Sequence, residues 1–149
     1  MQISTRRADK DDAKYLKILV SSLSYLYLSQ DNLDLPQWFS TSIGIEQFEA
    51  RLKSVDFTNI VAEIDNCIVG YISIQDNNHL YHLFVSQEYQ GKGIARQLWI
   101  EAQKTCLSSK YTVNSSIYGI PVYEKFGFVA VGSTREKDGI KYQLMEFTI

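Results

Sequence analysis

Proline is scarce in this chain: Pro36 and Pro121 are the only two in 149 residues. There is no Pro-, Gly- or Ser-rich tract and no internal repeat, so nothing marks a linker. A single domain over residues 1–149 is expected. Cysteine is equally scarce, with Cys67 and Cys106 alone. Two thiols make no disulfide framework, which fits a reducing, cytoplasmic compartment. No run approaches the ~18 apolar residues a bilayer-spanning helix needs. The opening Met1-Gln2-Ile3-Ser4-Thr5-Arg6-Arg7 leads into charge rather than an apolar stretch. Neither a membrane span nor a secretory signal is therefore expected. Charge of one sign is not in excess either: 15 Lys and Arg against 17 Asp and Glu give a net charge of −2. That balance argues against a nucleic-acid partner or an anionic membrane surface. What is present is 45% hydrophobic and 21% charged, globular proportions that support a core without staples.

Periodicity divides the chain into alternating elements. Gln2 to Arg7 reads as a strand. Asp9 is a candidate helix N-cap followed by the acids Asp11 and Asp12. Leu16, Leu19, Val20, Leu23, Leu26 and Tyr27 then recur at helical spacing. Ser29 to Ser40 reads as a loop, and a short helix starts near Thr41 or Ser42 with Ile45, Phe48 and Leu52 on one face. The period then shortens. Thr58 to Ile64, Cys67 to Gln75 and His79 to Ser86 read as strands, with turns at Asp65-Asn66 and Asp76-Asn77-Asn78. Gly93 to Lys110 is helical, Tyr111 to Asn114 a strand, and Ile117 to Phe126 helical in part. Phe128 to Val131 and Ile140 to Ile149 close the chain as strands. The order β-α-α-β-β-β-α-β-α-β-β predicts an α/β sandwich, a mixed sheet with helices on its faces.

The chemistry concentrates after the third of the central strands. His79-Leu80-Tyr81-His82-Leu83-Phe84-Val85 runs through Ser86-Gln87-Glu88-Tyr89 into Gln90-Gly91-Lys92-Gly93-Ile94-Ala95, a glycine turn that opens a helix. Unpaired amides and the positive dipole end at a helix start attract anions, and small residues let a phosphate approach the backbone. The turn predicts a phosphate or pyrophosphate site, the plainer reading being a connection alone. It is neither common phosphate loop: Lys92 is followed by Gly93 rather than Ser or Thr, and the third glycine of G-x-G-x-x-G falls on Arg96. No G-x-S-x-G elbow occurs, which disfavours a serine hydrolase. The histidines, His79 and His82, three apart on a strand, are expected on opposite faces. With no Cys/His or carboxylate cluster, no metal is expected.

Gln90-x-x-Gly93-x-Ala95 resembles the [QR]-x-x-G-x-[GA] acyl-CoA loop of the GCN5-related N-acetyltransferases, the GNAT superfamily. Val113-Asn114-Ser115-Ser116 and Val122-Tyr123-Glu124-Lys125-Phe126-Gly127-Phe128 resemble that family's late motif, and the element order matches along essentially the whole chain. The resemblance implies a mixed, mostly antiparallel sheet splayed between strands four and five and flanked by helices. It implies acetyl-CoA as cosubstrate and direct attack by a primary amine in a ternary complex. On this reading backbone groups of Leu83, Phe84 and Val85 pair with the pantetheine arm. Amides around Gly91, Gly93, Ile94, Ala95 and Arg96 hold the pyrophosphate, flanked by the Gln90 and Lys92 side chains. Asn114 and Tyr123 face the thioester, Tyr123 as general acid toward the leaving thiolate. An oxyanion donor is a backbone N–H near Leu83 or Phe84.

His79 is the first candidate for general base, since an unperturbed histidine is mostly neutral near pH 7. Glu63 and Glu146 are weaker candidates. Cys67 and Cys106 read as structural. The acceptor groove implied by the resemblance carries Tyr25, Tyr27, Asp31, Asp34, Trp38, Phe39 and Glu46, aromatics and acids that suit a cationic amine, or else a capped core and a solvated face. The expected partner is a small-molecule or protein amine acceptor, with no nucleic acid and no membrane, in a monomer or homodimer. A CoA-binding module without turnover is the alternative.

Overall fold

Local chemistry sets the first boundaries. In the computed structural model, which describes residues 2–27 and 35–149, β1 (Ser4–Arg7) ends just before Asp9. The Asp9 carboxylate accepts from the Asp11 amide at 2.9 Å, and Asp12 accepts from the Asp9 amide at 2.8 Å. This reciprocal cap seats a 3-10 turn, Lys10–Asp12, that leads into α1 (Ala13–Leu23). Arg6 donates to both oxygens of Asp12 at 2.8 and 2.9 Å and to Glu63 at 2.9 Å. The guanidinium holds the Asp12 carboxyl below the usual carboxylate range. A second 3-10 turn, Ser24–Tyr27, follows α1.

Then come α2 (Gln37–Ser42), α3 (Ile45–Lys53), β2 (Phe57–Ile64), β3 (Cys67–Gln75), β4 (His79–Val85), α4 (Ile94–Thr105), β5 (Lys110–Ser116), α5 (Ile120–Phe126), β6 (Val129–Ala130), β7 (Arg135–Lys137) and β8 (Ile140–Thr148). The sheet order is β1-β2-β3-β4-β5-β8-β6, with β7 on β8. Every pairing is antiparallel except β4–β5. The tight hairpins follow from their turn residues: Asp65 and Asn66 have φ of 51° and 63°, and Asp76 and Asn77 of 52° and 69°, left-handed positions that these side chains tolerate.

Two apolar clusters sandwich the sheet. On one face α1 and α3 bury Leu16, Val20 and Phe48 against Val61, Tyr71 and Phe84. On the other, α4 buries Ile94, Leu98 and Trp99 against Ile60, Ile72 and Leu80, and Tyr123 of α5 joins that cluster. The mixed α/β sheet flanked by helices is the expected class. Several boundaries differ from the sequence reading, among them β5, which runs Lys110–Ser116 rather than Tyr111 to Asn114, and α5, which starts at Ile120 rather than Ile117. Helix α2 begins within the Ser29–Ser40 segment read as a loop and runs through Thr41 and Ser42; it buries none of its residues and so shows no apolar period. Helix α3 begins at Ile45 rather than Thr41 or Ser42, and α4 ends at Thr105, where Cys106 leaves helical backbone with φ −111° and ψ 81°. The short β7 is additional.

A register shift in β3–β4 corrects the histidine placement. Ser73 pairs with His82 but Ile74 pairs with Leu80, so Tyr81 is an extra residue without a partner on β3. His79 pairs with Gln75, two residues from Ser73 on β3. His79 and His82 therefore share one face. The opposite-face expectation fails because the bulge resets the two-residue period.

Candidate active site

Strands β4 and β5 run parallel but pair only where they begin, His79 with Thr112 and Leu80 with Val113. From Tyr81 and Asn114 onward they part, since β4 follows β3 and β5 follows β8 along all seven of its residues. A cleft of about 440 Å³ fills the gap. Its walls include Tyr81, Leu83, Phe84 and Val85 of β4, Gln90 to Arg96 except Lys92, Val113, Asn114 and Ser116 of β5, and Tyr118 to Phe126 in part.

The main chain of β4 alternates in direction. The Ser86 amide donates to the Val69 carbonyl at 2.8 Å. In the same register Gly70 faces Val85, Tyr71 faces Phe84 and Ile72 faces Leu83. An antiparallel ladder alternates bonded and non-bonded pairs, so Phe84 is bonded to Tyr71. Leu83 and Val85 turn their N–H and C=O groups away from β3, toward the cleft. Of the three residues singled out in this strand, Phe84 thus contributes its side chain to the wall and its backbone to the sheet.

At the mouth, Gly91 and Gly93 have φ of 78° and 82°, the left-handed region that glycine enters without steric cost. A Cβ at either would meet nothing within 4 Å, so backbone conformation and not crowding requires glycine here. Gly93 is the N-cap of α4, and no side chain caps it. The first intrahelical bond there runs from the Gln97 amide to the Gly93 carbonyl at 3.0 Å. The amides of Ile94, Ala95 and Arg96 therefore have no partner within the helix. Gln90 donates to the Val85 carbonyl at 3.0 Å and accepts from the Tyr118 hydroxyl at 3.1 Å, joining the two lips. Arg96 donates to the Lys125 carbonyl at 3.2 Å, its guanidinium 5.4 Å from the Phe126 ring.

Asn114 and Tyr123 stand on the β5 side of the cleft, Asn114 exposed and Tyr123 7% exposed among Phe126 and Phe128. Lys92 is exposed and off the wall. His79 also lies off the wall, at the paired end of the strands, its Nδ1 2.7 Å from the Thr112 hydroxyl. Burial lowers its pKa, with Asp76 opposing. Glu63 is engaged by Arg6 at the far edge of the sheet, and Glu146 by Lys110 at 3.0 Å. No Asp, Glu or His lines the cleft among the described residues. Asp31, Asp34 and the Tyr27 side chain lie outside what is described. Trp38 is already engaged: its indole donates to Asp138 at 2.7 Å, and the Lys137 ammonium sits 4.6 Å from its ring. Tyr25 and Glu46 are exposed, and Phe39 is half-buried against the α1–α3 cluster. Cys67 is exposed in the β2–β3 hairpin, and Cys106 is buried at the end of α4. No group of His, Cys, Asp and Glu that could hold a metal occurs among the described residues, and no helix there is long and apolar enough to cross a membrane.

Sequence reasoning missed Leu23 at the end of α1, Leu26 in the 3-10 turn after it, and Tyr118, all of which line the cleft. It also missed a polar group under the bulge. His82 is buried among Phe48, Tyr71, Tyr81 and Phe84. Burial, with the Arg51 charge adding to it, pushes its pKa down to about 3. Desolvation raises the Tyr71 phenol to about 12, and that phenol donates to Asn59 at 2.6 Å. One signal was visible: in His79-Leu80-Tyr81-His82-Leu83-Phe84-Val85 the apolar parity changes between Leu80 and Leu83, the trace a bulge leaves.

A sheet parted between two parallel central strands, with a glycine turn at a helix start on one lip, is the architecture of an acetyltransferase of the GNAT type. The acetyltransferase (GNAT) domain model matches residues 6–149, and the chain belongs to that family. It is 31% identical over 120 residues, 72% of this chain and 67% of the other, to YokL, an uncharacterized N-acetyltransferase derived from the SPbeta prophage of Bacillus subtilis strain 168. Its fold is similar to a GCN5-related N-acetyltransferase from Rhodopseudomonas palustris, with TM-score 0.81, 23% identity and coverage of 100% and 97% of the two chains. It is similar too to the PaiA N-acetyltransferase of Thermoplasma acidophilum in complex with coenzyme A, with TM-score 0.79, 19% identity and full coverage of both chains. The spermidine N-acetyltransferase of Vibrio cholerae, in complex with CoA and spermine, matches with TM-score 0.70, 16% identity and coverage of 99% and 95%.

Proposed function

We propose that this protein transfers the acetyl group of acetyl-CoA to a primary amine by direct attack in a ternary complex. The observation that carries this reading is the parted β4–β5 pair, whose Leu83 and Val85 main-chain groups face the gap beside a glycine turn at the start of α4. The pantetheine arm, with its two amides, completes the ladder that β5 leaves unmade. Its pyrophosphate takes the amides of Gly91 and Gly93 to Arg96, where the helix dipole contributes about 0.3–1 kcal/mol, more when partly buried. Gln90 borders the arm and Lys92 supplies charge from outside.

The thioester carbonyl accepts from the Leu83 N–H as charge develops on its oxygen. Phe84, its backbone committed to β3, is not the donor. As the tetrahedral centre collapses, the C–S bond breaks and the Tyr123 hydroxyl donates its proton to the thiolate. The amine must arrive neutral. For an alkyl ammonium of pKa about 10.4 that costs about 5 kcal/mol at pH 7. With no carboxylate or histidine on the described wall, the proton leaves through water toward His79, which burial keeps neutral.

The bare wall also favours a second reading, a CoA-binding module without turnover. One experiment separates the two: free thiol released from acetyl-CoA is followed over a broad panel of primary amines, beside CoA-induced thermal shifts of wild type and Gly93→Glu. The expected result is turnover with at least one amine and loss of the thermal shift in the variant, whose carboxylate meets the pyrophosphate. A shift without turnover selects the second reading, and normal CoA binding by Gly93→Glu removes the loop assignment.

A further inference from the structure

Arg51 is only 8% exposed, and among the described residues no carboxylate pairs with it. Its Nη2 donates to the Ser42 carbonyl at 2.7 Å, while its buried Nε–H has no partner among the described residues. The guanidinium lies 4.7 Å from the Phe48 ring centre and 5.2 Å from that of Tyr81. These faces offset part of the desolvation of a cation but do not neutralise it. Among the described residues two further buried side-chain atoms nearby have no hydrogen-bond partner of good geometry, Ser73 Oγ, whose hydroxyl also lies close enough to the Tyr71 phenol to lower its pKa, and His82 Nε2. Ser73 and His82 face each other across β3–β4, and His82 packs against Phe48 and Tyr81, the two rings that flank Arg51. A permanently charged fork, a hydroxyl and a neutral imidazole in its Nε2–H tautomer offer three donors to one anion.

This group abuts the catalytic cleft. Tyr81, at the point where β4 and β5 part, lines the cleft and carries the Arg51 guanidinium against its ring. We propose that Arg51, with Ser73 and His82, receives a carboxylate on the acceptor, so that the amines this protein takes are those that also carry a carboxylate. The inference rests on the acetyl-transfer reading and adds its substrate class. It runs against the cationic acceptor expected from Tyr25, Trp38 and the nearby acids, since a polyamine offers nothing to a buried guanidinium. The three donors are closed to solvent, so the carboxylate enters as α2 and the Tyr81 ring shift. Helix α2 is the wall suited to yield: none of its residues is buried, and its Ser42 carbonyl is the group that holds Arg51.

The test uses pairs of amines that differ by a carboxylate, lysine against cadaverine and phenylalanine against phenethylamine. Each pair is read by thiol release and by binding to the CoA-saturated protein, in wild type, Arg51→Gln and Arg51→Lys. The expected result is at least a tenfold preference for the carboxylate member in wild type. Arg51→Gln abolishes it and Arg51→Lys restores part of it, while KM for acetyl-CoA stays within twofold. Equal treatment of both members by wild type in every pair overturns the proposal with no variant needed, as does a preference that survives in a folded Arg51→Gln. Binding with carboxylate preference but no thiol release leaves the anion site standing and removes the acetyl-transfer reading instead.

Discussion

Tyr123 and His79, the two residues whose types suit proton transfer, stand in different surroundings. Tyr123 stands on the cleft wall, so removing its hydroxyl leaves the ring packing against Phe126 and Phe128 in place. Tyr123→Phe is expected to lower kcat roughly 10²-fold with KM for acetyl-CoA essentially unchanged, as read by steady-state thiol release. A kcat equal to wild type removes the general acid. His79 stands off the cleft wall, beside Thr112, and acts at a distance. Its lowered pKa means it is neutral, and able to accept a proton, from below its ordinary value of about 6.5 upward. His79→Asn is therefore expected to cost about tenfold in kcat/KM near pH 7, less than the roughly 10²–10⁴-fold of a base in direct contact with its proton, because water intervenes. The deficit shrinks toward pH 9, where more of the amine is already neutral in solution. The same deficit at every pH would make His79 a purely structural partner of Thr112. The contrast shows what was legible at this scale. Tyr123, Asn114 and Gln90 are fixed by short motifs that carry their own backbone geometry. The places of His79, His82 and Arg51 depend on strand register and on which helix covers the bulge, and neither is written locally.

Glycine serves the elements in two distinct ways. At Gly93 the requirement is the left-handed φ of 82°, with open space where a Cβ would stand. At Gly70 the backbone is ordinary, but a Cβ would lie 3.0 Å from Ile94 Cγ2 and 3.1 Å from Leu98 Cδ1. The bare backbone of β3 is what lets α4 settle onto the sheet, and Ile94 is the first residue of that helix, next to the proposed pyrophosphate turn. Gly70→Ala is expected to destabilise the fold by about 1–3 kcal/mol, the usual penalty for overpacking, and to weaken CoA binding as the start of α4 is pushed outward. Thermal melts and CoA calorimetry together check this, and a destabilised protein with wild-type CoA affinity would uncouple the turn from the helix seat. The hairpins and α4 were readable because Asp-Asn turns and the spacing of Ile94, Leu98 and Ala102 express their conformations locally. Helix α2 was not, because a six-residue helix with no buried side chain leaves no pattern. Gly70 was not singled out for a related reason: its role is a contact between elements 24 residues apart in sequence, Gly70 and Ile94.

Across the whole molecule the sheet behaves as two leaves, β1 to β4 and β5 to β8, joined in register at only two residue pairs. That division leaves a signature that alternates along one strand. Without ligand, the Phe84 amide is bonded to β3 and its exchange with solvent requires opening of the sheet. The Leu83 and Val85 amides point into the cleft and exchange readily. CoA in the gap would slow these two amides while leaving Phe84 little changed, because the arm forms the missing side of the ladder. The same bridge ties the leaves together. At a CoA concentration 100 times Kd, linkage contributes about 2.7 kcal/mol, which for a domain of this size raises Tm by roughly 5–10 °C. Residue-resolved hydrogen exchange with and without CoA reads both effects in one experiment. Slow exchange at Leu83 and Val85 before CoA is added, or fast exchange there once it is bound, would mean that the two leaves are not joined through this strand.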